Sequence, residues 1–175
     1  DKPLKHTTDM AMGMQNMMQN NTGGHGMMGS GQTMPNSMMM ASGDPIEWEE
    51  SNGAMNAMSN PAMMEWIIQD EDTGKKNMDI DWTFKVGDKI KIKITNDPNS
   101  MHPMQHPIHF HGQRFLIVNR NGIQETNIAW KDTVLVPAGE TVDIVLDTSN
   151  PGTWMAHCHI SEHLEAGMMF SFTVR

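Results

Sequence analysis

What this sequence lacks narrows its class early. No apolar run approaches the roughly 20 residues a membrane-spanning helix needs, so no membrane span is expected. Positive charge is scarce: 12 Lys and Arg against 21 Asp and Glu leave a formal net charge of −9. That argues against nucleic acid, which requires a basic face, and is compatible with a cationic partner such as a metal ion. There is one cysteine, Cys158, so no internal disulfide can form and the thiol is either free or a ligand. Tyrosine is absent. The chain opens on Asp1 rather than Met and shows no signal peptide, and it is expected to be a mature, processed or truncated product. Its 175 residues suffice for one ordinary domain with a real core and an appendage.

Methionine is the excess: 21 in all, 11 of them within the first 40 residues. Residues 1–43 are low complexity, built from Met, Gly, Asn, Gln, Ser and Thr, with runs such as Met17-Met18 and Met38-Met39-Met40. Such a composition predicts a flexible segment that buries little. Its thioethers are also soft donors that prefer Cu(I) to hard cations. Met55, Met58, Met63 and Met64 suit adaptable core filling better.

From about residue 78 the pattern is all-β. Lys89-Ile90-Lys91-Ile92-Lys93-Ile94 alternates strictly, a strand with one wet and one buried face. Strands are expected at 107–111, 114–119, 133–136, 141–146, 153–158 and 168–174, with an earlier one at Met63–Ile68. Gly74, Asn121-Gly122 and Asn150-Pro151-Gly152 mark turns. Short strands with turn signals every 8–12 residues read as a β-sandwich.

The chemistry gathers in two stretches. In the second, His157 and His159 flank Cys158, His163 follows five residues after the cysteine, and Met168 five residues after that. A thiolate with imidazoles and a thioether is what a mononuclear copper electron-transfer site needs, two His and one Cys with a weak axial Met. The other stretch, His106-Pro107-Ile108-His109-Phe110-His111-Gly112, sorts by strand parity. His109 and His111 share a face and His106 takes the opposite one; likewise His157 and His159 share a face opposite Cys158. One surface then carries His106 and Cys158, joined by His163 and Met168, and the other carries His109, His111, His157 and His159. Zinc is the chemical rival, though the His-X-His pairs and the axial Met fit copper better. A cysteine nucleophile with a histidine base is weaker, since no oxyanion or third-member pattern accompanies it.

Both stretches, with Trp130-Lys131-Asp132-Thr133 between them, resemble the two copper signatures of the multicopper oxidases, the laccase and cuprous-oxidase family. The resemblance covers about 80–175. It implies a C-terminal cupredoxin domain, a Greek-key β-sandwich set here at residues 44–175 after the Met-rich segment 1–43. Carried over residue by residue, it implies type 1 copper on His106, Cys158, His163 and Met168. His109 matches the type 2 ligand, and His111, His157 and His159 match type 3 ligands. The activity implied is oxidation of Cu(I), phenols or aromatic amines at the type 1 copper. On that resemblance, electrons would pass through His157-Cys158-His159 to a trinuclear copper cluster that reduces O₂ to water. A whole cluster takes eight histidines, four of them from N-terminal cupredoxin domains as two His-X-His motifs. This chain offers four, and His6, His25 and His102 make no further pair. It is therefore expected to be the C-terminal part of a longer, periplasmic or secreted enzyme, its isolated form lacking a complete trinuclear site. Leu164 stands where bacterial relatives often place an acidic residue. The Met-rich segment resembles the insert of some bacterial cuprous oxidases, and Met104, Met38, Met39 and Met40 are candidates for holding substrate Cu(I). A stand-alone blue-copper electron carrier and a copper-sequestering protein are the alternatives.

Overall fold

The computed structural model describes residues 6–16, 64–100 and 103–175. Two sheets face each other across one core. In chain order the strands are β1 (His6–Asn16), β2 (Met64–Asp70), β3 (Thr83–Phe84), β4 (Lys89–Asn96), β5 (His106–Phe110), β6 (Arg114–Arg120), β7 (Ile123–Gln124), β8 (Trp130–Lys131), β9 (Thr133–Val136), β10 (Thr141–Asp147), β11 (Gly152–Cys158) and β12 (Met169–Val174). A short helix, α1 (Ser161–Glu165), separates the last two. The first sheet runs β2-β1-β4-β10-β6-β7, with β8 also on β6, and the second runs β3-β12-β11-β5-β9. The all-β sandwich expected from strand patterning is the observed fold.

Period-two patterning sets the layers. On β4 the isoleucines Ile90, Ile92 and Ile94 are buried, while the lysines between them are half-buried on the outer face. There Lys91 pairs with Asp143 at 2.8 Å, and Lys89 pairs with Asp147. The buried side chains of β4, β10 and β6 meet Phe110, Phe170 and Phe172 of the second sheet in one core. Asn121 and Gly122 take positive φ, 50° and 81°, the conformation a two-residue hairpin turn between β6 and β7 requires.

Composition predicts little ordered structure through residue 43, yet residues 6–16 form β1. It pairs antiparallel with β2 and parallel with β4, so this part of the Met-rich segment belongs to the sheet. Residues 17–63, including Met38, Met39 and Met40, lie outside the described residues. No helix among the described residues is long and apolar enough to cross a membrane.

Candidate metal centre

β5 and β11 lie side by side and antiparallel, with Ala156 opposite Phe110, His157 opposite His109 and Cys158 opposite Ile108. Alternation then does the sorting. His106, Ile108, Phe110, Ala156 and Cys158 turn into the core and are buried. His109 and His157 turn to the other face as a direct cross-strand pair.

On the inner face Cys158 is fully buried, with His106 and His163 almost so. The Cys158 sulfur lies 3.8 Å from His106 Nδ1 and 3.6 Å from His163 Nδ1. The two nitrogens are 3.2 Å apart. One S and two N donors thus sit within 4.8 Å of one another. The turn beyond β11 makes this possible. α1 carries His163 back over Cys158, its amide donating to the Ile160 carbonyl at 3.1 Å. The Met168 amide donates to the His163 carbonyl at 2.9 Å, and the Cys158 amide donates to the Met168 carbonyl at 3.1 Å. Met168 is fully buried and is tied by its backbone to Cys158 and His163. Gly167, at φ 106°, gives the turn a conformation that L side chains rarely adopt.

Burial pushes the Cys158 thiol up to about 12, against a smaller downward pull from backbone hydrogen bonds at Ile160 and His159. Desolvation disfavours the thiolate, and a bound cation would reverse that balance by replacing the proton. The donor set suits copper: a dry thiol and two imidazoles are soft to borderline donors, and the buried Met168 is the thioether residue of the same turn. No carboxylate belongs to the group, so a hard cation is poorly served.

The outer face gathers the other four histidines. Ring centroids are 4.7 Å apart for His109 and His111, 5.1 Å for His111 and His157, 5.2 Å for His157 and His159, and 5.1 Å for His109 and His159. Backbone carbonyls fix two tautomers, because a carbonyl only accepts. His109 Nδ1–H donates to the Asp132 carbonyl at 2.9 Å, with Thr133 Oγ1 at 3.0 Å. His157 Nδ1–H donates to the Cys158 carbonyl at 2.7 Å. In both rings Nε2 keeps its lone pair for a metal. His111 Nε2 meets His157 Nε2 at 2.9 Å, so His111 is the donor in that pair. Its basicity is lowered by burial first, then by His109, His157 and His159. Gly112 follows at φ 66°, and a Cβ there would lie 2.2 Å from the Trp154 ring. That close approach leaves glycine alone compatible with the position.

The structure therefore brings together both sets of histidines along the faces that parity assigns. Met104 is half-buried against the core, its carbonyl accepting from Asn96 Nδ2 at 2.6 Å. His6 begins β1, while His25 and His102 lie outside the described residues. Sequence reasoning missed Trp66. This β2 residue stacks on His163, centroids 3.7 Å apart and planes 23° from parallel, and meets His106 edge-on at 5.3 Å. In the sequence it reads only as an aromatic within a strand.

Comparison with known proteins points the same way. The sequence model of the multicopper oxidases matches residues 1–175. A laccase of Neurospora crassa is 28% identical over 152 residues, 75% of this chain and 25% of that protein. A multicopper oxidase of Staphylococcus aureus is 38% identical over 92 residues, 51% of this chain and 21% of that one. Among solved structures, a multicopper oxidase from Campylobacter jejuni, described as a metallo-oxidase, superposes with a TM-score of 0.60 at 23% identity. It covers 99% of this chain, which spans 31% of that one. A multi-copper oxidase from Pediococcus acidilactici gives 0.53 at 34% identity, over 62% of this chain and 23% of that one. The chain thus spans about a quarter of the length of the curated relatives it matches.

Proposed function

Because this chain belongs to the multicopper oxidase family, whose cofactor is copper, we propose that it serves as the electron-accepting domain of a longer copper oxidase. His106, Cys158, His163 and Met168 would hold the type 1 copper. His109 would hold type 2, and His111, His157 and His159 would hold type 3, with upstream cupredoxin domains supplying four more histidines. When bound, copper would supply one-electron redox chemistry at the buried site and, with the upstream histidines in place, reduction of O₂ to water at the open one.

The chain's own residues prepare both. Burial of Cys158, His106 and His163 excludes water from the donor atoms. Cys158 is bonded through the backbone to His157 and His159, so one short peptide joins the two faces. The hydrogen bond from His157 Nδ1 to the Cys158 carbonyl adds a second link between them. The Asp132 carbonyl sets the tautomer of His109 and so aims its free nitrogen.

The observation that carries this reading is the buried Cys-His-His group lying directly behind a face of four histidines. Its test is copper titration of the purified chain with visible spectroscopy, metal analysis and an oxygen electrode. The expected result is one tightly held copper with intense thiolate-to-copper absorption, lost in Cys158→Ser, and little O₂ consumption. Robust four-electron O₂ reduction by this chain alone would contradict the reading that it supplies only half of the cluster's histidines, unless copies assemble a cluster between them, and several colourless Cu(I) ions would favour sequestration. A blue-copper electron carrier is the second reading, favoured because all four residues proposed for type 1 copper belong to this one chain. Two upstream His-X-His motifs in the gene would decide against it.

For the reductant, Cu(I) or a small aromatic, Met104 supplies a thioether two residues before His106, and Met38, Met39 and Met40 extend the same donor chemistry. A periplasmic or secreted location completes the proposal, and cell fractionation tests it.

A further inference from the structure

Trp66 is absent from the ligand set, yet its indole touches both imidazoles of the buried group. It stacks on His163 at 3.7 Å and 23° and stands edge-on to His106 at 5.3 Å and 70°. It is fully buried, and its backbone is held from two sides. The Trp66 amide donates to the Ala166 carbonyl at 3.0 Å, in the turn that delivers Met168. The Trp66 carbonyl accepts from Asn77 Nδ2 at 3.1 Å, and Asn77 Oδ1 in turn accepts from the Ile68 amide at 2.8 Å. Asn77 thereby offers β2 the donor and acceptor that a neighbouring strand would. The indole is thus fixed against the His163 ring rather than merely filling space beside it.

We propose that Trp66 is a positioning and redox-tuning residue, which fixes the plane of the His163 imidazole and favours the oxidised form of the metal that this ring would bind. The inference rests on the type 1 reading of the buried group. An aromatic face attracts positive charge, most strongly when both are desolvated. An imidazole that binds a metal carries more positive charge when that metal is oxidised, so the stack favours the oxidised state and lowers the reduction potential. Replacing Trp66 by an aliphatic residue removes the π face while keeping the site apolar, and the potential should rise. Phenylalanine keeps a smaller π face and should give a smaller rise.

The test uses the full chain with Trp66→Leu and Trp66→Phe. In the metal-free proteins, the His163 ring protons are followed by NMR, where the stacked indole shifts them upfield. In the copper-loaded proteins, the potential is measured by spectroelectrochemistry on the thiolate-to-copper band. The expected order of potentials is wild type, then Trp66→Phe, then Trp66→Leu as the highest, with the upfield shift shrinking in the same order. A potential that is unchanged or lower in either variant overturns the tuning role. Unmoved His163 resonances overturn the positioning role. If Trp66→Leu does not fold, Trp66→Phe still decides both. Failure of the type 1 reading is separately visible, as a wild-type chain that never develops the absorption band.

Discussion

Two neighbours in sequence, His157 and Cys158, live in opposite electrostatic worlds. Cys158 faces the dry core, where burial raises its thiol to about 12, whereas His157 looks toward three other imidazoles. A cysteine reacts as its thiolate, and at pH near 8 a thiol in water, with a pKa of about 8.5, is partly ionised. The metal-free folded chain should therefore resist iodoacetamide at that pH and react only as fast as it unfolds. Mass spectrometry with and without urea measures this. Labelling of the native chain at the rate of a free thiol would show that Cys158 is not shielded. Parity alone makes this residue-scale contrast readable from sequence, because Cys158 and its two histidine neighbours must alternate on a strand. The stack of Trp66 on His163 was not readable, since nothing local to either residue encodes a contact made across the sandwich.

At the scale of elements, the outer face of the first sheet is laced by charge. The Asp147 carboxylate, at the end of β10, faces Lys89 and lies 3.3 Å from Arg114 Nε. Burial alone would raise the pKa of Asp147, but Lys89 and then Arg114 outweigh it and hold the carboxyl below the usual range. A carboxyl with a depressed folded-state pKa stabilises the fold above the unfolded value, about 3.9, and loses that contribution as pH falls through the folded value. Asp147→Asn should thus destabilise the metal-free chain near neutral pH and flatten its acid limb, leaving little difference at low pH. Urea titrations across that range read it out, and an equal loss at every pH would exclude the ion-pair explanation. The Lys and Ile alternation that builds this face is legible along β4. β7 and β8, two residues each, and the five-residue α1 are not, because they are too short to show a period. β1 is not legible either. Its Met, Gly and Asn content has little strand preference, and its place comes from the partners it bridges, β2 and β4.

The whole molecule joins that strand to the metal-site argument. β1 lies between β4 and β2, and β2 carries Trp66 against the buried histidines. Removing all of residues 1–43 would therefore remove a sheet strand along with the thioethers, and any loss of activity would confound the two. Removing residues 17–43 spares β1 and takes away most of the Met-rich run. If the chain is the electron-accepting domain proposed above and those thioethers collect Cu(I) for its buried site, this deletion in the full-length protein should depress Cu(I) oxidation while sparing oxidation of a phenol or aromatic diamine. The organic substrate needs no soft donor, so it reports on the intact centre. The visible absorption of the loaded chain should be unchanged, because His106, Cys158, His163 and Met168 are all retained. Steady-state rates on both substrates, beside that spectrum, make the comparison. Equal losses on both would show that residues 17–43 support the fold or the centre rather than deliver the metal, and Met104 would then be the remaining candidate thioether for Cu(I) beside His106.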